Sequence, residues 1–323
     1  NEGFEAGSFS GVSDLGLPEA NIVTLTEGDD SVVIAEAADE IRALGGNDRV
    51  TLFADAGLVD LGEGNNTLNL VANASVGEIV AGSGNDRVVS SSDLGTIDTG
   101  DGDDTLLLIG DVELADAGDG ANTVSLIGNG TVETGSGADE IAMRGDGFVS
   151  SGLGNDTIDF TGNGLVYSGF NAAPSADDND TVNFKGTGTL LTFGGDDTVE
   201  FAGYGRVDTG FGNDTVTVNE ASADVVDTEG VGVTVETLFG DDRVIVNAEA
   251  DMVRVFEGNN SVEINAHVEE VSAGSGADFV TLSSTGSAGT IDLGGGDNAV
   301  TAFGDIGSVV TGDGFDRVET RSG

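Results

Sequence analysis

The sequence predicts an all-β chain wound as a parallel β-solenoid, about 16 coils of 17–20 residues with two short strands in each. Three observations predict it. A turn ending in Asp or Asn recurs 16 times at near-constant spacing, aliphatic residues alternate two apart on either side of it, and the coils are short. A coil of this length cannot hold a strand–helix–strand unit, which needs roughly 30 residues. The chain can only wind strand over strand.

The turn defines the register. Gly82-Ser83-Gly84-Asn85-Asp86, Gly100-Asp101-Gly102-Asp103-Asp104, Gly152-Leu153-Gly154-Asn155-Asp156 and Gly210-Phe211-Gly212-Asn213-Asp214 are its clearest copies. Taking the last residue as position 0, the column reads Asp30, Asp48, Asn66, Asp86, Asp104, Asn122, Asp139, Asp156, Asp180, Asp197, Asp214, Asp242, Asn260, Asp278, Asn298 and Asp316. Most steps are 17–20 residues; the steps of 24 and 28 hold insertions around Ala172–Asn179 and Val225–Val233.

The first strand follows the turn. Position +2 is aliphatic in every coil, from Val32 and Val50 to Val300 and Val318. Position +4 carries a large apolar residue in all but three coils, where Ser90, Ala302 and Thr320 stand. The second strand precedes the turn, with aliphatics such as Ile41, Ile97, Val207 and Val253 at −7. The exception is the Asp180 coil, which has Ala173 there. Position −5 is often small or hydroxylic, as in Thr99, Thr134, Ser151 and Thr209. Alternation two apart gives each strand one inward face, and β-branched residues suit a pleated surface. These columns are core and speak to fold alone.

Charge gives the turn its chemistry. The chain carries 59 acidic against 10 basic residues, a formal net charge of −49. Such self-repulsion opposes compaction unless something neutralises it. Nucleic acid is excluded as a partner for so acidic a surface. Membrane insertion is not expected, since no apolar run approaches 18 residues. There is no Cys, so thiolate chemistry and disulfides are absent. Glycines at −4 and −2 permit close backbone approach. Stacking then repeats each carboxylate about every 4.8 Å. A hard cation with oxygen ligands would relieve the repulsion, and calcium accepts 6 to 8 oxygens in irregular geometry.

The turns resemble the Gly-Gly-x-Gly-x-Asp-x-aliphatic-x nonapeptide of the RTX family, the calcium-binding repeats of secreted bacterial toxins, proteases, epimerases, adhesins and S-layer proteins. The resemblance covers about residues 23–320 and is specific in the two glycines, the Asp and the following aliphatic. It implies a right-handed parallel β-roll holding multiple Ca2+ ions between coils. It implies as metal ligands Asp30, Asp48, Asp86, Asp104, Asp139, Asp156, Asp197, Asp214, Asp242, Asp278 and Asp316. Asn66, Asn122, Asn260 and Asn298 offer an oxygen without charge and are read as turn hydrogen-bonders. Asp180 lacks both glycines, with Ala176 and Asp178 in their places, and is left out of the ligand set.

Two departures from the family pattern are visible. The family's first Gly is mostly replaced, as by Ala81, Thr99, Thr134 and Ser151. The opposite turn, for example Gly128-Asn129-Gly130-Thr131 or Gly186-Thr187-Gly188-Thr189, is glycine-rich without Asp at the ligand position. One calcium row is therefore expected, along one edge.

No catalytic constellation stands out, and the chain is not expected to be an enzyme. His267 is the only His and reads as an exposed residue opening a second strand. An ice-binding solenoid of the RTX type would place a Thr at −3 in each turn, but that column holds Ser83, Asp101, Leu153, Phe211 and Gly295. Residues 1–22, with Phe4, Phe9, Val12, Leu15 and Leu17, read as a cap or docking segment before a solenoid at 23–323. The chain does not begin with Met and reads as a processed form or a fragment. The expected role is a calcium-dependent structural protein outside the cell or on the bacterial cell surface, a segment of a self-assembling surface layer, filament or adhesin. Its expected partners are calcium ions, and further copies of itself or other cell-surface components. The alternative is a calcium-binding module attached to a secreted polysaccharide-active enzyme.

Overall fold

In a computed structural model the described residues are 20–71, 73–169, 178–221 and 232–321. They form 29 strands, paired in parallel, and no helix. Most of the N-terminal segment, Ala173 and both insertions lie outside the described residues, apart from the flanks of the insertions.

Each coil contributes one strand after the turn and one before the next, as Thr105–Ile109 and Val112–Asp116 do. Pairing is coil to coil, so each sequence column becomes a straight line of residues. The +2 column runs in register through Val88, Leu106, Val124, Ile141, Ile158, Val182, Val199 and Val216. The −7 column runs through Ile41, Val59, Ile79, Ile97, Ala115, Val132, Val149, Val166, Leu190, Val207 and Val235. Val166 fills that place for the Asp180 coil, so the longer coil keeps its core residue and takes its extra length between Val166 and the turn.

The two lines of side chains face one another and form one continuous core. Phe160, Phe184 and Phe201, all at +4, are fully buried and stack at centroid distances of 5.0 and 5.1 Å. Ser90, which interrupts the +4 column, is buried too, and its hydroxyl donates to the Ser92 carbonyl at 3.2 Å.

Three coils depart from the two-strand expectation. In each, a single 11-residue strand runs through the far turn: Thr157–Tyr167, Thr181–Leu191 and Thr198–Asp208. The glycine pairs permit it, although the pairs Gly128/Gly130 and Gly145/Gly147 of the preceding coils stack likewise and the strands end there. Gly162, Gly186 and Gly203 stack in register, as do Gly164, Gly188 and Gly205. A Cβ on Gly186 would lie 1.5 Å from the Gly162 carbonyl oxygen. With no side chain in the way, backbone pairing is free to continue around the corner.

Candidate metal centre

Straight columns bring the 0 positions into one line at one edge. Fifteen bonds link them without a break from Asp30 to Asp316. In each, the main-chain N–H of one coil donates to Oδ1 of the next coil's Asp or Asn. The bond from Asp156 N–H to Asp180 Oδ1 is 2.8 Å, and that from Asp180 N–H to Asp197 Oδ1 is 2.8 Å. Asp180, set aside on sequence, therefore stands in the same line as the rest.

The second carboxylate oxygen behaves differently. Asp48, Asp86, Asp104, Asp139, Asp156, Asp180, Asp197, Asp214, Asp242 and Asp278 are at most 2% exposed. In all ten, Oδ2 is buried with no hydrogen-bond partner. A buried, unsatisfied carboxylate is among the costliest arrangements a fold can hold. The two end members differ. Asp30 is half-buried, and its Oδ2 accepts the Thr26 N–H at 2.8 Å and the Thr26 hydroxyl at 2.7 Å. Asp316 is half-buried in the last coil and accepts only through Oδ1.

The Asn coils show what surrounds that oxygen. Asn66 and Asn122 accept through Oδ1 as the aspartates do, from Asp48 and Asp104. Their Nδ2 therefore occupies the place of the Asp Oδ2. From there Asn66 donates to the carbonyls of Gly62 and Gly64 at 3.3 and 2.9 Å, and Asn122 to those of Gly118 and Gly120 at 3.0 and 3.2 Å. The seat is thus lined by acceptors, the carbonyls at −4 and −2. Replacing the amide by a carboxylate puts a third oxygen among them, which a bound cation would answer and which, without one, calls for a proton on the carboxyl or another donor.

Glycine at −2 is required by this construction. Gly154 has φ of +135°, and a Cβ on it would lie 1.6 Å from the Gly137 carbonyl oxygen. The Asp180 coil manages without Gly at −2: Asp178 stands there, buried, and accepts the Gly154 N–H at 2.6 Å through Oδ1.

Burial pushes the carboxyls up. It takes Asp86, Asp156 and Asp214 to about 7, Asp197 to about 8 and Asp180 to about 9. Burial is the first cause in each case. The coil-to-coil N–H bonds offset part of it, while the −5 hydroxyls of Ser151 and Thr192 donate to the Ser168 and Thr209 carbonyls.

A divalent hard cation fits this seat by chemistry. Among the described residues no three acidic or histidine side chains converge on one point. A cation would therefore take one carboxylate oxygen from each coil and draw its remaining ligands from main-chain carbonyls, a donor set that suits calcium's tolerance of many oxygens.

Two further ladders were not anticipated from sequence. At −1, Asp29, Asn47, Asn65 and Asn85 each accept the N–H of the following coil, at 2.7 to 3.2 Å. This outer ladder runs opposite in sense to the inner one. The far turn has its own, in which Asp93, Asp111, Asn129 and Asp146 accept from the next coil at 2.8 to 2.9 Å. Those side chains are exposed. Among the described residues, the only unpartnered buried carboxylate oxygen off the 0 column is Asp159 Oδ1, on a strand. His267 opens the strand His267–Ser275, exposed, with Nδ1 2.8 Å from the Ser287 hydroxyl.

The fold and this edge define an all-β parallel solenoid with a buried line of carboxylates. No protein-family model matches the chain, and no curated protein matches it significantly. Among solved structures it is similar to the X-ray crystal structure of a hyperactive, Ca2+-dependent, β-helical antifreeze protein from an Antarctic bacterium. Identity is 22% and the TM-score 0.49, over 97% of this chain and 87% of that one. A likeness at that level carries no functional statement.

Proposed function

We propose that this chain is a calcium-dependent structural rod of an extracellular or bacterial surface assembly, a segment of a surface layer, filament or adhesin. The observation behind it is the line of ten buried carboxylates with one unpartnered oxygen each, confined to one edge. Calcium bound only by the folded chain stabilises it by mass action. Sixteen coils at about 4.8 Å make a rod roughly 75 Å long. The outward −3 column mixes Glu63, Ser83, Leu153, Phe211 and Gly295, which offers no regular hydroxyl face to ice.

Circular dichroism tests the calcium dependence. In EDTA at pH 8 the β signal should be largely lost, and millimolar calcium should restore it. Full β signal in protein shown by mass spectrometry to be metal-free would end the calcium reading. Light scattering and electron microscopy with and without calcium test assembly. A strict monomer at every calcium concentration would favour the module of a secreted polysaccharide-active enzyme instead.

A further inference from the structure

Four coils carry Asn where the others carry Asp, and they share two features, of which the amide sets them apart from every Asp coil. The first is the amide. In Asn66, Asn122, Asn260 and Asn298, Nδ2 donates to the −2 carbonyl at 2.9 to 3.3 Å, from the place where the other coils hold an unpartnered oxygen. The second is the residue behind the seat. The Asn coils have Leu61, Ala117, Val255 and Leu293 at −5, all buried and apolar. The run of Asp coils from Asp139 to Asp242 has buried hydroxyls there: Thr134, Ser151, Thr192, Thr209 and Thr237, with Ser168 in the corresponding place for Asp180, whereas Asp30, Asp48, Asp86 and Asp278 have Leu25, Ala43, Ala81 and Ala273. Among the described residues no Asn coil has a hydroxyl at −5. Where the side chain at 0 is neutral and self-satisfied, nothing polar stands behind it; where it is a carboxylate in this run, an extra oxygen does.

We propose that the cation row is segmented: Asn66, Asn122, Asn260 and Asn298 form coils that take no ion, because their own amide already occupies the ion's seat. This rests on the calcium reading of the edge. The edge then divides into short runs, Asp30–Asp48, Asp86–Asp104, Asp278 and Asp316, and one long row of six carboxylates, Asp139, Asp156, Asp180, Asp197, Asp214 and Asp242. A site at 0 needs a negative oxygen to hold a cation among carbonyls. The Asn amide brings positive hydrogens instead, and a cation could enter only by breaking its bonds.

Ion counting on the whole chain tests this. Protein folded in calcium is freed of excess metal, and bound calcium per chain is measured by native mass spectrometry and elemental analysis. Asn122→Ala should leave the count unchanged, Asn122→Asp should raise it by one, and Asp156→Asn should lower it by one with the β signal retained. A lower count for Asn122→Ala, or an unchanged count for folded Asn122→Asp, would overturn the segmentation while leaving calcium binding intact. If Asn122→Asp does not fold, the Asn122→Ala and Asp156→Asn counts still decide. A wild-type chain that binds no calcium would instead remove the reading on which the inference rests.

Discussion

Asp197→Asn should make the protein less dependent on calcium, although it deletes a proposed ligand. Asp197 is 1% exposed, its Oδ1 accepts the Asp180 N–H at 2.8 Å and its Oδ2 has no partner. The amide keeps the first bond and can donate to the −2 carbonyl of Gly195, as Asn122 does to Gly120. The gain in the metal-free state has a lower bound of ~1–3 kcal/mol, the cost of an unsatisfied buried group. Its upper bound follows from the carboxyl standing at about 8: four units above the ordinary value is ~5 kcal/mol. A gain of about 3 kcal/mol, spread over roughly ten cooperatively bound ions, lowers the calcium midpoint of folding by at most ~1.7-fold, because the variant also gives up one ion's binding. Asp197→Ala removes the N–H acceptor, leaves the carbonyls unanswered and opens a void, so its midpoint should move the other way. The assay is circular dichroism against buffered free calcium at pH 8, with all three proteins side by side. An Asp197→Asn midpoint at or above that of Asp197→Ala would refute the reasoning.

The same carboxyls set the pH response in EDTA. Their folded-state values, about 7 to 9, lie above the ordinary value near 3.9 in the unfolded chain, so the folded state holds more protons between those limits. Metal-free stability should be greatest below about pH 4 as far as these groups decide it, and should fall as pH rises through 7 to 9. Urea midpoints in EDTA that rise over that range would contradict it. Gly154→Ala should cost at least ~2 kcal/mol even in saturating calcium, through its positive φ and the carbonyl against its Cβ; a urea midpoint equal to wild type would show that the turn relaxes. Asp146→Ala, in the exposed far-turn ladder, loses the acceptor for the Asn163 N–H and should cost no more than ~1 kcal/mol, with the calcium midpoint unchanged. A midpoint shift as large as that of Asp156→Ala would place an ion on the far edge.

Much of this molecule was legible in its sequence because its spacing is its register. The aliphatics at +2 and −7 are the core, and the 0 column is the buried line, since stacking turns a constant repeat length into vertical alignment. What failed to show were features that depend on the neighbouring coil. Asp180 lacks its glycines, yet Asp156 below and Asp197 above hold it in line. The −1 residues find their main-chain partners a full coil away. The far turns of residues 157–208 read as breaks because glycine pairs usually interrupt strands. Here the glycines lie over one another and the ladder passes through them. A signal was available for one of these: the recurrence of Asn or Asp at −1 in coil after coil.

The bonds that join coil to coil, in the sheets and in all three side-chain ladders, point along the rod. Tension applied between the two ends of the chain would therefore load every coil interface in series, and the end coil, held from one side only, would detach first. Each detachment frees one coil of about 18 residues, which extends to ~60 Å where the folded coil occupied ~5 Å. Stretched between two surfaces, such a rod would lengthen in near-equal steps of ~55 Å and rewind one coil at a time when the load fell. It would behave as a ratcheting shock absorber whose stroke is set by the number of coils.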